Sequence, residues 1–367
     1  MGSARRFADF NFLMNSEHIV SQSDRILVTG SNGFIGSRVV ATLLEYGYSN
    51  LRCFVRPSSR LGRLTETLDR FPSGKDVQVI SGDLLSRDDC RNATGNVSII
   101  YHLAAGVEKS FAGAFMNSAL STRNLIDAFL ECGQPKRFVN VSSFGVYSNL
   151  NLKRGSLLDE TCPLESAPQK RFDAYSFGKL KQDELVIEYG AKQNLPYVIL
   201  RPGMVFGPGK PSLSGRVGID TFGVFLHMGG SNRLPMTFVD NCADAIVLAG
   251  LKPGVNGEVF NVVDDELLTS RQFLRAYKQN VRRFFSVPVP YFVARGMCGL
   301  WERYSRWSEG QLPPVFNRRR CSAEWKGNRF SNRKLHEKLG WTPRVPMREA
   351  LIAFFSQYQT AAAVPPR

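Results

Sequence analysis

Arg25 to Gly36 reads RILVTGSNGFIG. The apolar run Ile26-Leu27-Val28 has the length and composition of a strand buried on both faces. Gly30, Gly33 and Gly36 follow at G-x-x-G-x-x-G spacing, and Val39, Val40, Leu43 and Leu44 then recur on one face of a helix. A strand, a glycine turn and a helix start in this order form a dinucleotide-binding unit. Gly30 is read as the tight turn, Gly33 as the point where backbone approaches a pyrophosphate, and Gly36 as the contact between helix and strand. The helix N-terminus offers N–H groups and a positive dipole end to the phosphates.

Downstream the alternation repeats. Strands are expected at Leu51 to Val55, Val77 to Ile80, Ile99 to Ala105, Phe138 to Ser142 and Tyr197 to Leu200. Between them, the segment from Asn117 carries a helical stripe of Leu120, Leu125, Ile126 and Phe129, and Tyr175 opens a helix with Leu180, Leu185, Val186 and Ile187. Such alternation predicts an α/β fold with a doubly wound (Rossmann) parallel sheet. RPGMVFGPGKPSLSG, from Arg201, is too rich in Gly and Pro for a regular element and is read as the crossing into a substrate region. Phe238 to Leu251 returns to a helical pattern and Glu258 to Val263 to a strand. The expected division is a flexible extension at 1–23, a nucleotide-binding domain at 24–200 with returns near 238–263, a smaller, mostly helical substrate-binding part at 201–237 and 264–355, and a tail at 356–367.

The bulk composition narrows the setting. The 367 residues carry a net charge of +15, which favours an anionic partner: a nucleotide, a phosphorylated substrate, a nucleic acid or an acidic membrane surface. The seven cysteines are scattered, with no C-x-x-C pair, and suit a reduced, cytoplasmic compartment. His18, His102, His227 and His336 have no metal-ligand spacing, so no metal is assigned, and His102 is read as a packed strand residue. Residues 1–23 lack the apolar stretch of a secretory signal, and Arg6 stands where a myristoylation signal needs Ser or Thr.

Candidate chemistry clusters at strand ends. Tyr175 and Lys179 are spaced i, i+4 and share a helix face. An ammonium near a phenol favours the phenolate, which predicts a lowered Tyr175 pKa and a general acid/base near neutral pH. Ser143 sits at a strand C-terminus, where open α/β sheets bind ligands, and its hydroxyl suits a substrate oxygen. No acid lies between Leu51 and Thr65, where an NAD-binding fold places Asp or Glu on the ribose. Arg56, Ser58, Ser59 and Arg60 stand there instead and favour NADP over NAD, unless Arg56 is a solvated strand-end charge. Asp83 either accepts from an adenine amino group or caps the next helix.

These pieces together resemble the extended short-chain dehydrogenase/reductases of the NAD(P)-dependent epimerase/dehydratase type. The matching segments are TGSNGFIG (29–36), Asp83, YHLAA (101–105), NSALSTRNL (117–125), VSSFGVY (141–147), YSFGK (175–179), LRPGMVFGPG (200–209) and FVDNCADAI (238–246). The resemblance implies Tyr175 as acid/base, Lys179 as its electrostatic partner and ribose anchor, and Asn117 as support for the lysine through water. It selects Ser143, four residues before Tyr147, over Ser142. The cofactor set it implies is Gly30, Asn32, Gly33, Phe34, Ile35 and Gly36, then Arg56, Asp83 and Leu84, then Leu103, Ala104 and Ala105, with Tyr175 and Lys179. Phe144 and Gly145 replace the Asp-Glu pair of the family's dehydratases, so dehydration is not expected. Met204 replaces the asparagine of nucleotide-sugar members, and Arg233 lies one place off the usual arginine register. Arg216 and Arg233 either grip an anionic substrate group or are solvated loop charges.

The late chain adds Trp301, Trp307, Trp325 and Trp341 amid many arginines. This mixture suits the faces of a substrate lid, a membrane surface or a nucleic-acid groove. The region 312–355 resembles members acting on 3β-hydroxysteroids and related alcohols, which implies a greasy, aromatic-lined pocket. The expected activity is NAD(P)-dependent interconversion of a secondary alcohol and a ketone on a hydrophobic or sterol-like small molecule. A nucleotide-sugar epimerase using the same Ser-Tyr-Lys set is the first alternative, and a non-catalytic dinucleotide-binding protein the second. The expected partners are the substrate, a peripheral membrane contact through the basic-aromatic tail and a second copy in a homodimer, with no specific nucleic acid.

Overall fold

Ile26, Leu27 and Val28 are all fully buried, and alternate residues enter separate cores. That is the two-residue period of a strand covered on both faces. In this computed structural model, residues 18–362 are described except 107–109, 211–212, 222 and 310, with backbone alone for 359–362. The central sheet contains β1 (Arg25–Thr29), β2 (Leu51–Val55), β3 (Gln78–Ser81), β4 (Val97–His102), β5 (Arg137–Val141), β6 (Tyr197–Pro202) and β7 (Val259–Val262). All pairings are parallel, in the order β3-β2-β1-β4-β5-β6-β7. Helices α1 (Gly36–Glu45) and α4 (Val239–Leu251) cover one face, against Ile26 and Val28. Helices α2 (Ser121–Cys132) and α3 (Ala174–Gln193) cover the other, against Leu27. The chain runs outward from β1 in one direction and from β4 in the other. The crevice for a ligand therefore opens where β1 and β4 end, beside the glycine turn.

His102 fastens this crossing from within. It is fully buried, 2.8 Å from Thr29 Oγ1 on β1, 2.9 Å from Thr122 Oγ1 on α2 and 3.2 Å from Gln182 Nε2 on α3. Burial, with help from the nearby Lys179 charge, pushes its pKa down from 6.5 to about 3.

Three expectations about boundaries change. Residues 18–23 do not belong to a flexible extension. Ile19 N–H donates to Leu251 O at 2.9 Å, Val20 is 5% exposed, and the Tyr48 hydroxyl holds His18 and Val20 O. Residues 1–17 and 363–367 lie outside the described residues. The Gly/Pro-rich crossing does form structure: Met204–Phe206 pairs in parallel with Met236–Phe238. Finally, 264–355 is not one separate part. Phe273, Leu335, Trp341, Ala350 and Phe354 share a single core with Ile26 and Val28. What stands apart is a small cluster of Met228, Ala294, Cys298, Cys321 and Trp325, built by helices α5 (Tyr291–Trp307) and α6 (Arg318–Trp325).

The His102 pKa fixes a pH dependence. Between about 3 and 6.5 the unfolded chain holds a proton on His102 that the folded chain does not. Stability therefore falls as pH drops below 6.5, by about 1.4 kcal/mol per pH unit from this group. Urea unfolding at about pH 7 and about pH 5 is expected to show a smaller acid loss for His102→Gln than for the parent. An equal acid loss in both proteins would contradict the assignment.

Candidate active site

The glycine turn leaves no room for side chains. Gly30 has φ +67°, and a Cβ added there would lie 2.9 Å from Ala104 N. A Cβ on Gly36 would lie 2.1 Å from Gly30 O, and one on Gly33 2.9 Å from the same oxygen. Helix α1 starts at Gly36 with no side-chain cap and no acid in its first turn. Its positive end thus faces the crevice without an internal anion. A cleft of about 320 Å³ runs from Gly30 and Gly33 past Leu103, Ala104 and Ala105 to Arg56, Asp83 and Leu84. A bare backbone cradle of this kind fits the pyrophosphate of a dinucleotide.

At the outer end of the cleft, Arg56 is exposed, and its guanidinium forms no ion pair among the described residues. The Asp83 carboxylate accepts the Leu85 N–H at 2.9 Å, whereas Ser86 caps the following helix. The capping alternative for Asp83 is therefore excluded. Asn32 spends its side chain on loop geometry, donating to Arg60 O and accepting the Leu64 N–H. Asn117 reaches the cleft from a π-helical turn, Phe115–Leu120, that runs directly into α2. Such turns place side chains that an uninterrupted α-helix would turn away.

The inner end opens into a cavity of about 580 Å³. Gly30, Gly33, Phe34, Ile35 and Gly36 line it, as do Ser143, Tyr175, Lys179 and Met204. Ser143 follows β5 and accepts the Gly145 N–H at 3.1 Å. Asp173 caps α3 by accepting the Ser176 N–H at 3.1 Å, which fixes the first turn and the direction of Tyr175. One turn on, Lys179 is 4% exposed and donates to Val141 O at 2.6 Å. One turn further, Asp183 is fully buried, held by Arg201 Nε at 3.1 Å and Asn140 Nδ2 at 2.9 Å.

The electrostatics correct one expectation. The Tyr175 pKa is raised, because burial outweighs the lowering effect of the Ser143 hydroxyl. Lys179 loses the contest as well: burial lowers its pKa to about 8, and Asp183 pulls it partly back. The ammonium is therefore anchored by Val141 O, with the Asp183 charge acting on it from one turn further along the helix. The sequence reading passed over Asp183 and Arg201. Asp183 continues the i, i+4 spacing from Lys179, and Arg201 opens the LRPG segment, so both were open to inspection.

On the substrate side, Arg216 lines the cavity and donates to Ala323 O at 3.2 Å. Arg171, Lys210, Arg320 and Glu324 line it too; of these the sequence points only to Arg320, as one of the arginines around the late tryptophans. Arg233 does not reach this cavity. It donates to Leu267 O at 2.8 Å and, together with Arg216, lines a narrow recess of about 20 Å³. The aromatic lining expected from the late chain is absent among the described residues. Trp325 and Trp341 are buried elsewhere, Trp301 donates to Pro313 O, and Trp307 points outward at 76% exposure. Only α6 of that region touches the cavity, through Arg320 and Glu324.

Comparison with known proteins places this arrangement. Gox2253 superposes with a TM-score of 0.74 at 24% identity, covering 92% of this chain and 99% of that one. UDP-glucuronic acid 4-epimerase from Bacillus cereus, solved in complex with NAD, superposes with a TM-score of 0.67 at 21% identity over 92% of this chain and 97% of that one. Both share the fold. In sequence, 3beta-hydroxysteroid-dehydrogenase/decarboxylase isoform 1 of Arabidopsis thaliana is 26% identical over 90% of this chain and 79% of its own length. Sterol-4-alpha-carboxylate 3-dehydrogenase, decarboxylating, of Mus musculus is 25% identical over 90% of each chain. A model of the NAD dependent epimerase/dehydratase family matches residues 26–262, well over half of the chain. The protein thus belongs to the NAD-dependent epimerase/dehydratase family and is an NAD(P)-dependent enzyme.

Proposed function

We propose that the protein interconverts a secondary alcohol and a ketone on a hydrophobic, sterol-like substrate, with Ser143, Tyr175 and Lys179 performing the proton chemistry. The observation that carries this reading is the position of these three side chains in one cavity wall, next to the glycine cradle. A bound nicotinamide supplies the hydride acceptor or donor. In oxidation, Tyr175 Oη takes the carbinol proton while Ser143 Oγ holds the same oxygen as it becomes a carbonyl. Lys179 brings a positive charge to the same cavity wall to favour the developing phenolate, its ammonium donating to Val141 O and acted on by the Asp183 charge. In reduction the proton returns along the same route. The printed activities of the Arabidopsis and mouse relatives support a 3-hydroxysterol framework. Phe144 packs its ring on Tyr147, and no carboxylate follows Ser143, which supports redox chemistry without elimination of water.

The raised Tyr175 pKa sets the direction of the pH profile. Alcohol oxidation needs the phenolate and rises with pH, whereas ketone reduction needs the phenol and falls. Tyr175→Phe is expected to lower kcat by about a thousandfold with KM little changed, and to abolish the rising limb. Steady-state rates across pH with a 3β-hydroxysteroid check both; a Phe variant that keeps its rate and pH profile refutes the assignment.

For the cofactor, Arg56 at the outer end of the cleft supports NADP over NAD, since a free guanidinium suits a 2′-phosphate. Arg56→Ala is expected to weaken NADPH binding about tenfold and leave NADH binding unchanged. Titration of both cofactors by fluorescence checks this. Tighter NADH than NADPH binding in the parent protein contradicts it.

A further inference from the structure

Helix α5 buries only one narrow face. Ala294, Cys298 and Ser305 are 0%, 4% and 4% exposed; the first two pack toward Cys321 and Trp325, and the Ser305 hydroxyl donates to Leu312 O. A second face, made of Val293, Met297, Leu300, Tyr304 and Trp307, is turned to solvent, with Leu300 at 70% and Trp307 at 76% exposure. At about 100° per residue these five side chains fall within an arc of about 80°, so they form one continuous stripe. Phe292, 75% exposed, flanks it. Ten of the seventeen exposed large apolar side chains among the described residues lie between Phe285 and Phe316, so the patch is concentrated here. Tyr304 and Trp307 stack with ring centroids 5.6 Å apart instead of folding inward.

Cations lie along one flank of the stripe. Arg303 and Arg306, about 80° and about 140° to the same side of its centre, form no ion pair among the described residues. The one acid of the helix, Glu302, is already paired with Arg318 at 2.8 Å. No helix of the described residues is long and apolar enough to cross a membrane. A short helix with an apolar stripe, aromatic rings and unpaired arginines has the composition of one that lies flat at a lipid headgroup boundary.

We propose that α5 seats this protein on the surface of an anionic lipid bilayer. The apolar stripe enters the acyl boundary, Trp307 and Tyr304 sit at headgroup level, and the free arginines meet anionic headgroups. The unpaired guanidinium groups beside the stripe argue for an anionic lipid surface over a second copy of the chain, which would bring the same cations to the contact and no unpaired acid of the helix to meet them. The helix also backs the cavity: α5 packs on α6, whose Arg320 and Glu324 line the substrate space. The proposal does not depend on the catalytic reading, and it would survive a different substrate.

The test is sedimentation of the full chain with vesicles of phosphatidylcholine and phosphatidylserine, and with vesicles of phosphatidylcholine alone. The expected result is binding to the anionic vesicles that weakens with salt. The double change Leu300→Glu with Trp307→Glu is expected to lower the partition coefficient by about tenfold or more at unchanged melting temperature. Arg303→Glu with Arg306→Glu is expected to remove the preference for phosphatidylserine. A parent protein that stays in the supernatant with both vesicles overturns the proposal, as does a Leu300→Glu/Trp307→Glu variant that binds as well as the parent. A parent dimer that this variant splits, without vesicle binding by either, would assign the stripe to self-association instead.

Discussion

The contact between Gly36 and Gly30 is the constraint on which the rest of the site depends. Helix α1 begins so close to the end of β1 that any side chain at Gly36 would overlap the Gly30 carbonyl. Gly30 in turn adopts a left-handed backbone against Ala104, so the turn is pressed onto the next strand's exit as well. The consequence is a helix N-terminus at the sheet's switch point with bare backbone around it. The candidate cofactor residues, from the Asp83 rim to the Ser143 end, are laid out along that seam.

The second constraint is electrostatic and lies under the floor of the cavity. Asp183 is fully buried and would be costly alone. It is satisfied by Arg201 and Asn140, and Arg201 also covers the Tyr147 ring at 4.8 Å. This network sits one helical turn below Lys179, whose ammonium is almost entirely removed from water. Burial lowers the pKa of this lysine to about 8 while the Asp183 charge pulls it back up, and its ammonium donates to the Val141 carbonyl. Removing one member of a buried pair typically costs about 3–5 kcal/mol, so loss of Arg201 would leave the Asp183 charge buried at a heavy cost to stability.

The fold was legible because its signals are local. Apolar runs, glycine spacing and the Tyr175–Lys179 register each depend on a few consecutive residues. The strand end at Ser142-Ser143 is a local signal too, and the family resemblance selects Ser143 of the pair. What was not legible depended on distant partners. No pattern within residues 18–23 announces that Leu251 and Tyr48 will hold them. Trp341 and Phe354 read as part of a separate lobe until the sheet supplies the core they fill. The sign of the Tyr175 shift required knowing how deeply the ring is enclosed, since spacing alone sees the ammonium and not the lost water. Arg233 failed for the same reason: its guanidinium is turned to Leu267, which no register count reveals.

The central claim is that this cavity carries out net oxidation or reduction instead of a closed redox cycle. The most direct measurement is to mix the purified protein with oxidised cofactor and a 3β-hydroxysteroid, then follow reduced nicotinamide and ketone together over many turnovers. The account predicts that both accumulate in equal amounts, well beyond the concentration of enzyme. A protein that retains its cofactor and never accumulates the reduced form, while inverting a carbinol of a nucleotide sugar, would contradict it.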